Sequence, residues 1–286
     1  MKLRAVGVIS KPKKENICAV APSLLAWLKQ RNIEAVFDEE TGRCLELPGG
    51  LPRAQIPARA DLLVVLGGDG TLLATSRLLE DRPVPILAVN LGSLGFLTEI
   101  TLDEMYGVLE AVLADRHRIE ARRQLAGEVE REGKVVARYL ALNDIVLHKA
   151  SLARILDFDV TIDGRFVSRI RADGLIVSTP TGSTAYSLSA GGPIVLPSVE
   201  AMVVTPIAPH MLTNRPLVIP GNSQVEVVAA SPGELAYVTA DGQEGEELDT
   251  GSRVRLRMSN RSVLLVTSPN RDYFQILRSK LHWGER

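Results

Sequence analysis

In the segment Leu62-Leu63-Val64-Val65-Leu66-Gly67-Gly68-Asp69-Gly70-Thr71, an apolar strand-like run ends in a glycine-rich turn that carries one aspartate and opens a helix. Glycines let a backbone come close to an anion, N–H groups at a helix start point outward, and the helix dipole adds partial positive charge there. Such a turn suits phosphate chemistry. Asp69 is the unusual member, because a carboxylate repels phosphate directly. It is useful only if a metal ion bridges it to the phosphates or if a hydroxyl gives it a proton. The competing reading is a plain β–α turn whose aspartate caps the following helix.

Other chemistries find little support. No Gly-Lys-Ser/Thr follows the turn, so it is not a Walker A loop, and the G-x-G-x-x-G spacing of a dinucleotide fingerprint is absent. His117, His148, His210 and His282 are scattered and share no metal-ligand spacing with a cysteine, so no residue is assigned as a direct metal ligand. Ser183 lies in Gly182-Ser183-Thr184 and lacks the G-x-S-x-G elbow of a hydrolase nucleophile. Cys18 and Cys44 are the only cysteines. They are too few for a disulfide framework, which favours a reducing compartment.

The elements that must position Asp69 follow from periodicity. Val6–Ile9, Ile33–Phe37, Leu62–Leu66 and Ile86–Val89 read as strands alternating with helices, the pattern of a parallel sheet with crossovers. Leu47-Pro48-Gly49-Gly50-Leu51-Pro52 reads as a surface loop. Met105, Val108, Leu109, Val112 and Leu113 mark one buried helical face, and Thr101 with Glu104 forms a capping box ahead of it. From about Leu125 the period changes to two. Leu156, Phe158, Val160 and Ile162 alternate with polar residues before an Asp163-Gly164 hairpin turn, and Val254, Leu256 and Met258 alternate with arginines. The tail regains helical spacing through Phe274, Leu277 and Leu281. The expected fold is an α/β N-terminal domain with a Rossmann-like parallel sheet over residues 1–122 and a mostly antiparallel β-sandwich over 123–268. A C-terminal helix over 269–286 returns to the first domain.

Four further motifs stand in order along the chain. They are Asn90-Leu91-Gly92-Ser93-Leu94-Gly95-Phe96-Leu97-Thr98; Asn143-Asp144; Arg171-Ala172-Asp173-Gly174; and the segment from Ser178 to Pro193, which contains Thr179-Pro180-Thr181-Gly182-Ser183-Thr184-Ala185-Tyr186. The G-G-D-G-T turn alone resembles a kinase superfamily that includes NAD kinases, diacylglycerol and sphingosine kinases and, more loosely, phosphofructokinases. With the other motifs in this order and spacing, nearly the whole chain resembles bacterial NAD kinase, of the ATP/polyphosphate-dependent family.

The resemblance implies transfer of the terminal phosphoryl group of ATP, or of another nucleoside triphosphate or polyphosphate, to the 2′-hydroxyl of the adenosine ribose of NAD. It makes Asp69 the catalytic residue, places Asp69 and Gly70 against NAD as well, and makes Gly67, Gly68, Gly70 and Thr71 the loop for the phosphate donor. Asn143 and Asp144 match the family's polar pair that grips NAD, although many relatives carry Glu at the second position. Thr184, Ala185, Tyr186, Ser187, Leu188 and Ser189 match residues lining the NAD site. Arg171 and Asp173 match positions that reach the ligand, the Asp often across a subunit interface. Arg154 and Gln243 match weaker positions, Phe96 is expected near the nucleotide cleft, and Ala208 in the pocket wall. Standing alone, Asn143-Asp144 would be a strand-end turn, the Ser/Thr/Gly-rich stretch a loop, Arg171-x-Asp173 a surface ion pair and Phe96 a core aromatic.

The resemblance further implies a divalent ion, Mg²⁺, accompanying the nucleotide, and a homodimer or homotetramer with shared active sites. A net charge of −1, from 33 basic and 34 acidic residues, gives no global attraction to nucleic acid or acidic lipid. No apolar run reaches the ~18 residues of a membrane helix and no secretion signal opens the chain. Neither a nucleic-acid nor a membrane partner is expected, and the expected location is the cytoplasm. Two alternatives remain at this point: a lipid kinase of the diacylglycerol type, for which the T-P-T-G-S-T-A-Y segment has no role, and a silent NAD-binding regulator, which gains nothing from Asp69.

Overall fold

The apolar runs that carry the turn form a parallel sheet in the computed structural model, which describes residues 3–11, 15–79, 82–149, 155–231 and 234–284. Its strands are β1 (Ala5–Ser10), β2 (Glu34–Phe37), β3 (Leu62–Gly67) and β4 (Ile86–Asn90), with a two-residue β5 (Ile100–Thr101) beside β4. They pair in parallel in the order β2-β1-β3-β4. Helix α1 (Glu15–Gln30) connects β1 to β2, α2 (Glu39–Leu45) follows β2, α3 (Asp69–Ser76) connects β3 to β4, and α4 (Leu102–Leu113) follows β5. β1, β3 and β4 are buried along their whole length, as expected of a parallel sheet covered on both faces. The chain leaves β1 toward one side of the sheet and β3 toward the other. The carboxyl ends of β1 and β3 therefore flank the kind of crevice where open α/β sheets bind ligands, and Gly67 ends β3 there.

The capping box forms as expected: the Glu104 carboxylate accepts the Thr101 N–H at 3.0 Å, and Met105, Val108, Leu109 and Val112 are buried. The tail is a helix over Tyr273–Leu281, capped by Asp272. Of the residues expected on its buried face, Leu277 is buried and Leu281 half-buried, but Phe274 is exposed, because the face is turned toward Ile276, which is buried beside Leu277. Cys18 of α1 and Cys44 of α2 are joined in a disulfide. This corrects the expectation drawn from the cysteine count and removes the argument for a reducing compartment.

Two compact units result, residues 1–121 with 263–286 and residues 122–262. Segment 263–266 belongs to the first, where Leu265 pairs in parallel with Ile86. The second unit contains two antiparallel sheets. The strands are β6 (Ile119–Arg131), β7 (Lys134–Ala141), β8 (Asp144–Lys149), β9 (Leu156–Ile162), β10 (Arg165–Ala172), β11 (Gly174–Ser178), β12 (Ala201–Ile207), β13 (Leu217–Pro220), β14 (Gln224–Ala229), β15 (Ala236–Ala240), β16 (Glu244–Leu248) and β17 (Arg253–Val266), with a short helix α5 (Tyr186–Ser189) between β11 and β12. One sheet contains β10-β9-β14-β17, with β6 on β17 and β7 on β6; the other runs β13-β12-β11-β8-β15-β16.

Period-two alternation sends Phe158 and Val160 of β9, Val225 and Val227 of β14, and Val254 and Leu256 of β17 into one core. They meet Ile145 and Leu147 of β8 and Leu175 and Val177 of β11, so the unit is a β-sandwich. Asp163, with φ of 50°, and Gly164, with φ of 74°, turn the β9–β10 hairpin in the left-handed conformation that Asp-Gly favours. Among the described residues, no helix is long and apolar enough to cross a membrane.

Candidate active site

Asp69 is the first residue of α3, with Gly68 in the N-cap position. Its carboxylate does not cap that helix, which corrects the capping alternative. Instead it reaches to the loop after β4: Oδ2 accepts the N–H of Phe96 at 3.0 Å, and Oδ1 accepts the N–H groups of Leu97 at 3.3 Å and Thr98 at 2.9 Å. The Thr98 hydroxyl donates to Oδ1 at 2.8 Å. The approach is close enough that a Cβ on Gly95 would stand 2.1 Å from Oδ1, so glycine is required there. Asp69 is half-buried, while Gly70 beside it is exposed. The turn thus presents a fixed, partly solvated negative charge at the carboxyl edge of the sheet. Phe96 is also half-buried, with the Lys280 ammonium 5.9 Å from its ring centroid.

A pocket of ≈620 Å³ opens in the second unit. It is lined by Asn143, Asp144, Asp173, Ala185 and Tyr186, and also by Val146, His148, Lys149, Ile207, Thr239, Asp241 and Gly242. Asn143 and Asp144 stand at the start of β8, held from two directions. Asp241 accepts the N–H of Leu142 at 3.0 Å, of Asn143 at 2.7 Å and of Asp144 at 3.3 Å. From the other side the Thr179 hydroxyl donates to the Leu142 carbonyl at 2.6 Å, and the Thr179 N–H to that of Asn143 at 2.8 Å. Much of the Thr/Gly-rich segment is therefore a brace: Thr181–Thr184 form a 3₁₀ turn packed so closely that a Cβ on Gly182 would stand 2.0 Å from the Asn143 carbonyl oxygen. Burial, aided by the charge of Asp241, pushes the Asp144 carboxyl up to about 7. Asp173 pairs with Lys149 at 2.6 Å across the junction of β11 and β8.

The other expected residues lie around this pocket rather than lining it. Thr184 is buried, with its hydroxyl donating to the Thr181 carbonyl at 3.2 Å, and the Ser187 hydroxyl is turned to that of Thr205 at 2.9 Å. Leu188 is half-exposed and Ser189 exposed on α5. Arg171 is exposed at the end of β10, and Gln243 is exposed next to Gly242. Ala208 follows Ile207 with a φ of 43°, a left-handed conformation unusual for alanine. Arg154 lies outside the described residues.

Asp241, His148 and Lys149 were not expected. Strand alternation carries the signal for one of them: Asp144, Val146 and His148 must share a face of β8, and all three line the pocket. Among the described residues, no group of three or more His, Cys, Asp or Glu side chains could hold a metal ion.

An acidic glycine turn at the carboxyl edge of a parallel sheet, in a chain whose other unit is a β-sandwich with a pocket that holds Asn143, Asp144 and Asp173, defines a two-domain kinase of the glycine–aspartate turn type. Comparison with known proteins narrows this. Residues 6–117 match the family model of the ATP-NAD kinase N-terminal domain, and residues 142–268 that of the C-terminal domain. The NAD kinase of Solibacter usitatus is 48% identical over 284 residues, 99% of each chain, and that of Geobacter metallireducens is 47% identical over 288 residues, covering 99% of this chain and 100% of the relative. The crystal structure of yeast NADH kinase complexed with NADH superposes with a TM-score of 0.91 at 29% identity, covering 99% of this chain and 89% of the other. That of an NAD kinase from Archaeoglobus fulgidus in complex with ATP gives 0.78 at 28% identity, covering 97% and 98%. The chain belongs to the NAD kinase family.

Proposed function

We propose that this protein transfers the terminal phosphoryl group of ATP to the 2′-hydroxyl of the adenosine ribose of NAD, yielding NADP and ADP. A new bond forms between the ribose 2′-oxygen and the γ-phosphorus. The bond from that phosphorus to the bridging oxygen breaks, and ADP leaves with the electron pair. The hydroxyl proton passes to Asp69 and on to solvent. In a loose phosphoryl-transfer transition state positioning outweighs basicity, so a carboxylate is a sufficient acceptor. The observation that carries this reading is that Asp69 points out of its own helix and is gripped by four donors in a half-buried turn.

In the second unit, Asn143 reads the adenine edge, Asp144 takes a ribose hydroxyl, and Tyr186 stacks on a base. The backbone of Gly67–Thr71 receives the donor phosphates. Mg²⁺ enters with the triphosphate as part of the substrate. The protein works as a homodimer or homotetramer, in which Arg171 and Ser189, exposed in one chain, meet ligand or neighbour. We place it in the cytoplasm on the ground of its substrates alone. A lipid kinase and a silent regulator are left without support by family matches in both halves of the chain.

The test is to incubate the purified protein with NAD, ATP and Mg²⁺ and to detect product with a dehydrogenase that accepts only NADP. Asp69→Asn should reduce turnover to background while the NAD dissociation constant changes by less than about threefold. Absence of NADP with the unmodified protein would end the proposal, and normal turnover by Asp69→Asn would end the role given to that residue.

A further inference from the structure

The Asp69 carboxylate is the terminus of a hydrogen-bond chain that begins at Asn90. Asn90 ends β4 and pairs in register with Gly67 of β3, which places it in the strand next to the turn. Its side-chain oxygen accepts the Gly92 N–H at 2.7 Å, so the amide nitrogen is the atom that faces Thr98, to whose hydroxyl it donates at 2.8 Å. Orientation of an asparagine amide is assigned from its partners, and here the Gly92 N–H leaves one assignment. Thr98 has a single hydroxyl proton. With its oxygen accepting from Asn90, that proton is committed to Asp69 Oδ1 at 2.8 Å. Asn90 is 7% exposed and Thr98 is 0% exposed, so water does not compete for either bond.

The two carboxylate oxygens are consequently unlike. Oδ1 accepts the Thr98 hydroxyl and the N–H groups of Leu97 and Thr98, which uses its lone pairs fully. Oδ2 accepts the Phe96 N–H alone among the described residues and keeps one lone pair for an incoming donor. We infer that Asn90 and Thr98 are positioning residues for the phosphoryl transfer: through Thr98 they saturate Oδ1 and lock the Asp69 side chain, so that the attacking hydroxyl is received at Oδ2.

The inference rests on the role proposed for Asp69 and deepens it. The hydroxyl proton passes to Oδ2 as the new oxygen–phosphorus bond forms and ADP departs with its electron pair. The lock prevents the side chain from rotating away and prevents the hydroxyl from choosing between two oxygens. Asn90 and Thr98 are both buried behind the turn, so their loss lowers turnover rather than affinity.

The experiment compares Thr98→Val, which keeps shape and backbone N–H but removes the hydroxyl, with Thr98→Ser, which restores it. For Thr98→Val, kcat should fall about ten- to hundredfold, the rate equivalent of one hydrogen bond to a charged group, with KM for NAD moving less than about threefold. Thr98→Ser should recover kcat to within about threefold of the unmodified protein. If Thr98→Val loses its fold by circular dichroism, Thr98→Cys takes its place, since a thiol fills the same space and donates only weakly; the same direction is expected.

An unchanged kcat in Thr98→Val, or an equal loss in Thr98→Ser, overturns the relay while leaving the role of Asp69 intact. Full turnover by Asp69→Asn overturns both.

Discussion

Asp241 accepts the backbone N–H of Asp144 at 3.3 Å, and so its carboxylate holds in place the residue whose own carboxyl it disfavours as a charge. Asp144 is 4% exposed, and burial followed by the charge of Asp241 raises its carboxyl to about 7. In the unfolded chain the group titrates near 3.8. Between these values the folded state holds a proton that the unfolded state has released, so stability is greatest below the unfolded value and declines as pH rises toward 7. The total loss across the window is bounded at about 4 kcal/mol by three pH units of differential protonation. Asp144→Asn stays neutral at every pH and should not share this loss. Its stability relative to the unmodified protein should therefore improve from pH 4 to about pH 7 and level off above that, measured by urea unfolding at each pH. A difference that stays flat with pH would rule out the buried, elevated carboxyl.

The same Asp241 carries three backbone donors that have no substitute if it is removed. Asp241→Ala leaves the N–H groups of Leu142, Asn143 and Asp144 without their acceptor in a buried loop. An orphaned buried donor costs about 1–3 kcal/mol, so the loss should be about 3 kcal/mol or more once water reaches part of the site. The loop carries Asn143 into the pocket, and KM for NAD should rise with the loss of stability. Asp241→Asn keeps the shape with a weaker acceptor and should fall between the two. Thermal melts together with steady-state kinetics of both variants decide this; an Asp241→Ala protein with unchanged melting and KM would show that the brace has no function.

How much of this was visible in the sequence depends on the distance along the chain over which each contact acts. The four strands of the parallel sheet, the Thr101–Glu104 box and the Asp163-Gly164 hairpin are local, and their residues announce them. Asn143, Asp144, Ala185 and Tyr186 were found through motif resemblance, and they do share one pocket. What stayed hidden acts across long separations. Asp241 grips a loop some hundred residues earlier in the chain, Thr98 reaches Asp69 across 29 residues, and Cys18 meets Cys44 across 26. Nothing in an Asp-Gly turn tells that its carboxylate will reach a strand start rather than its own backbone. The tail helix was legible at Leu277 but not at Phe274, because its apolar residues fit more than one face and packing turned the helix toward Ile276.

Two glycines of the site separate steric need from electrostatic need. Gly182 is pressed against the Asn143 carbonyl, a backbone atom that cannot rotate aside, with 2.0 Å left for any Cβ. Gly182→Ala must push the 3₁₀ turn away from β8, at a cost of about 2 kcal/mol or more, and should raise KM for NAD. Gly68 is the opposite case. A Cβ there meets nothing within 4 Å, and its φ of −108° is one that alanine adopts freely. Gly68→Ala should melt within a few degrees of the unmodified protein, since a surface change without clash costs less than about 0.5 kcal/mol. Its methyl would stand where donor phosphates approach the turn, so KM for ATP should rise while KM for NAD holds. Equal shifts in both constants would argue against the turn as the donor loop.

The Cys18–Cys44 bond ties α1 to α2 on the sheet that carries Asp69, and its effect on stability is separable from catalysis. Closing a loop of 26 residues restricts the unfolded chain, which in the loop-entropy account stabilises the folded state by about 2–4 kcal/mol. Reduction should lower the urea midpoint of the unmodified protein by the corresponding amount. A protein with both Cys18→Ser and Cys44→Ser should unfold at that lower midpoint whether or not reductant is present. Because neither cysteine lies in the turn or in the pocket, kcat at temperatures well below melting should be the same for oxidised, reduced and doubly substituted protein. A reductant-insensitive midpoint would mean the two thiols are not bonded in solution. A reductant-dependent kcat at low temperature would mean that the α1–α2 tie bears on the acidic turn as well as on stability.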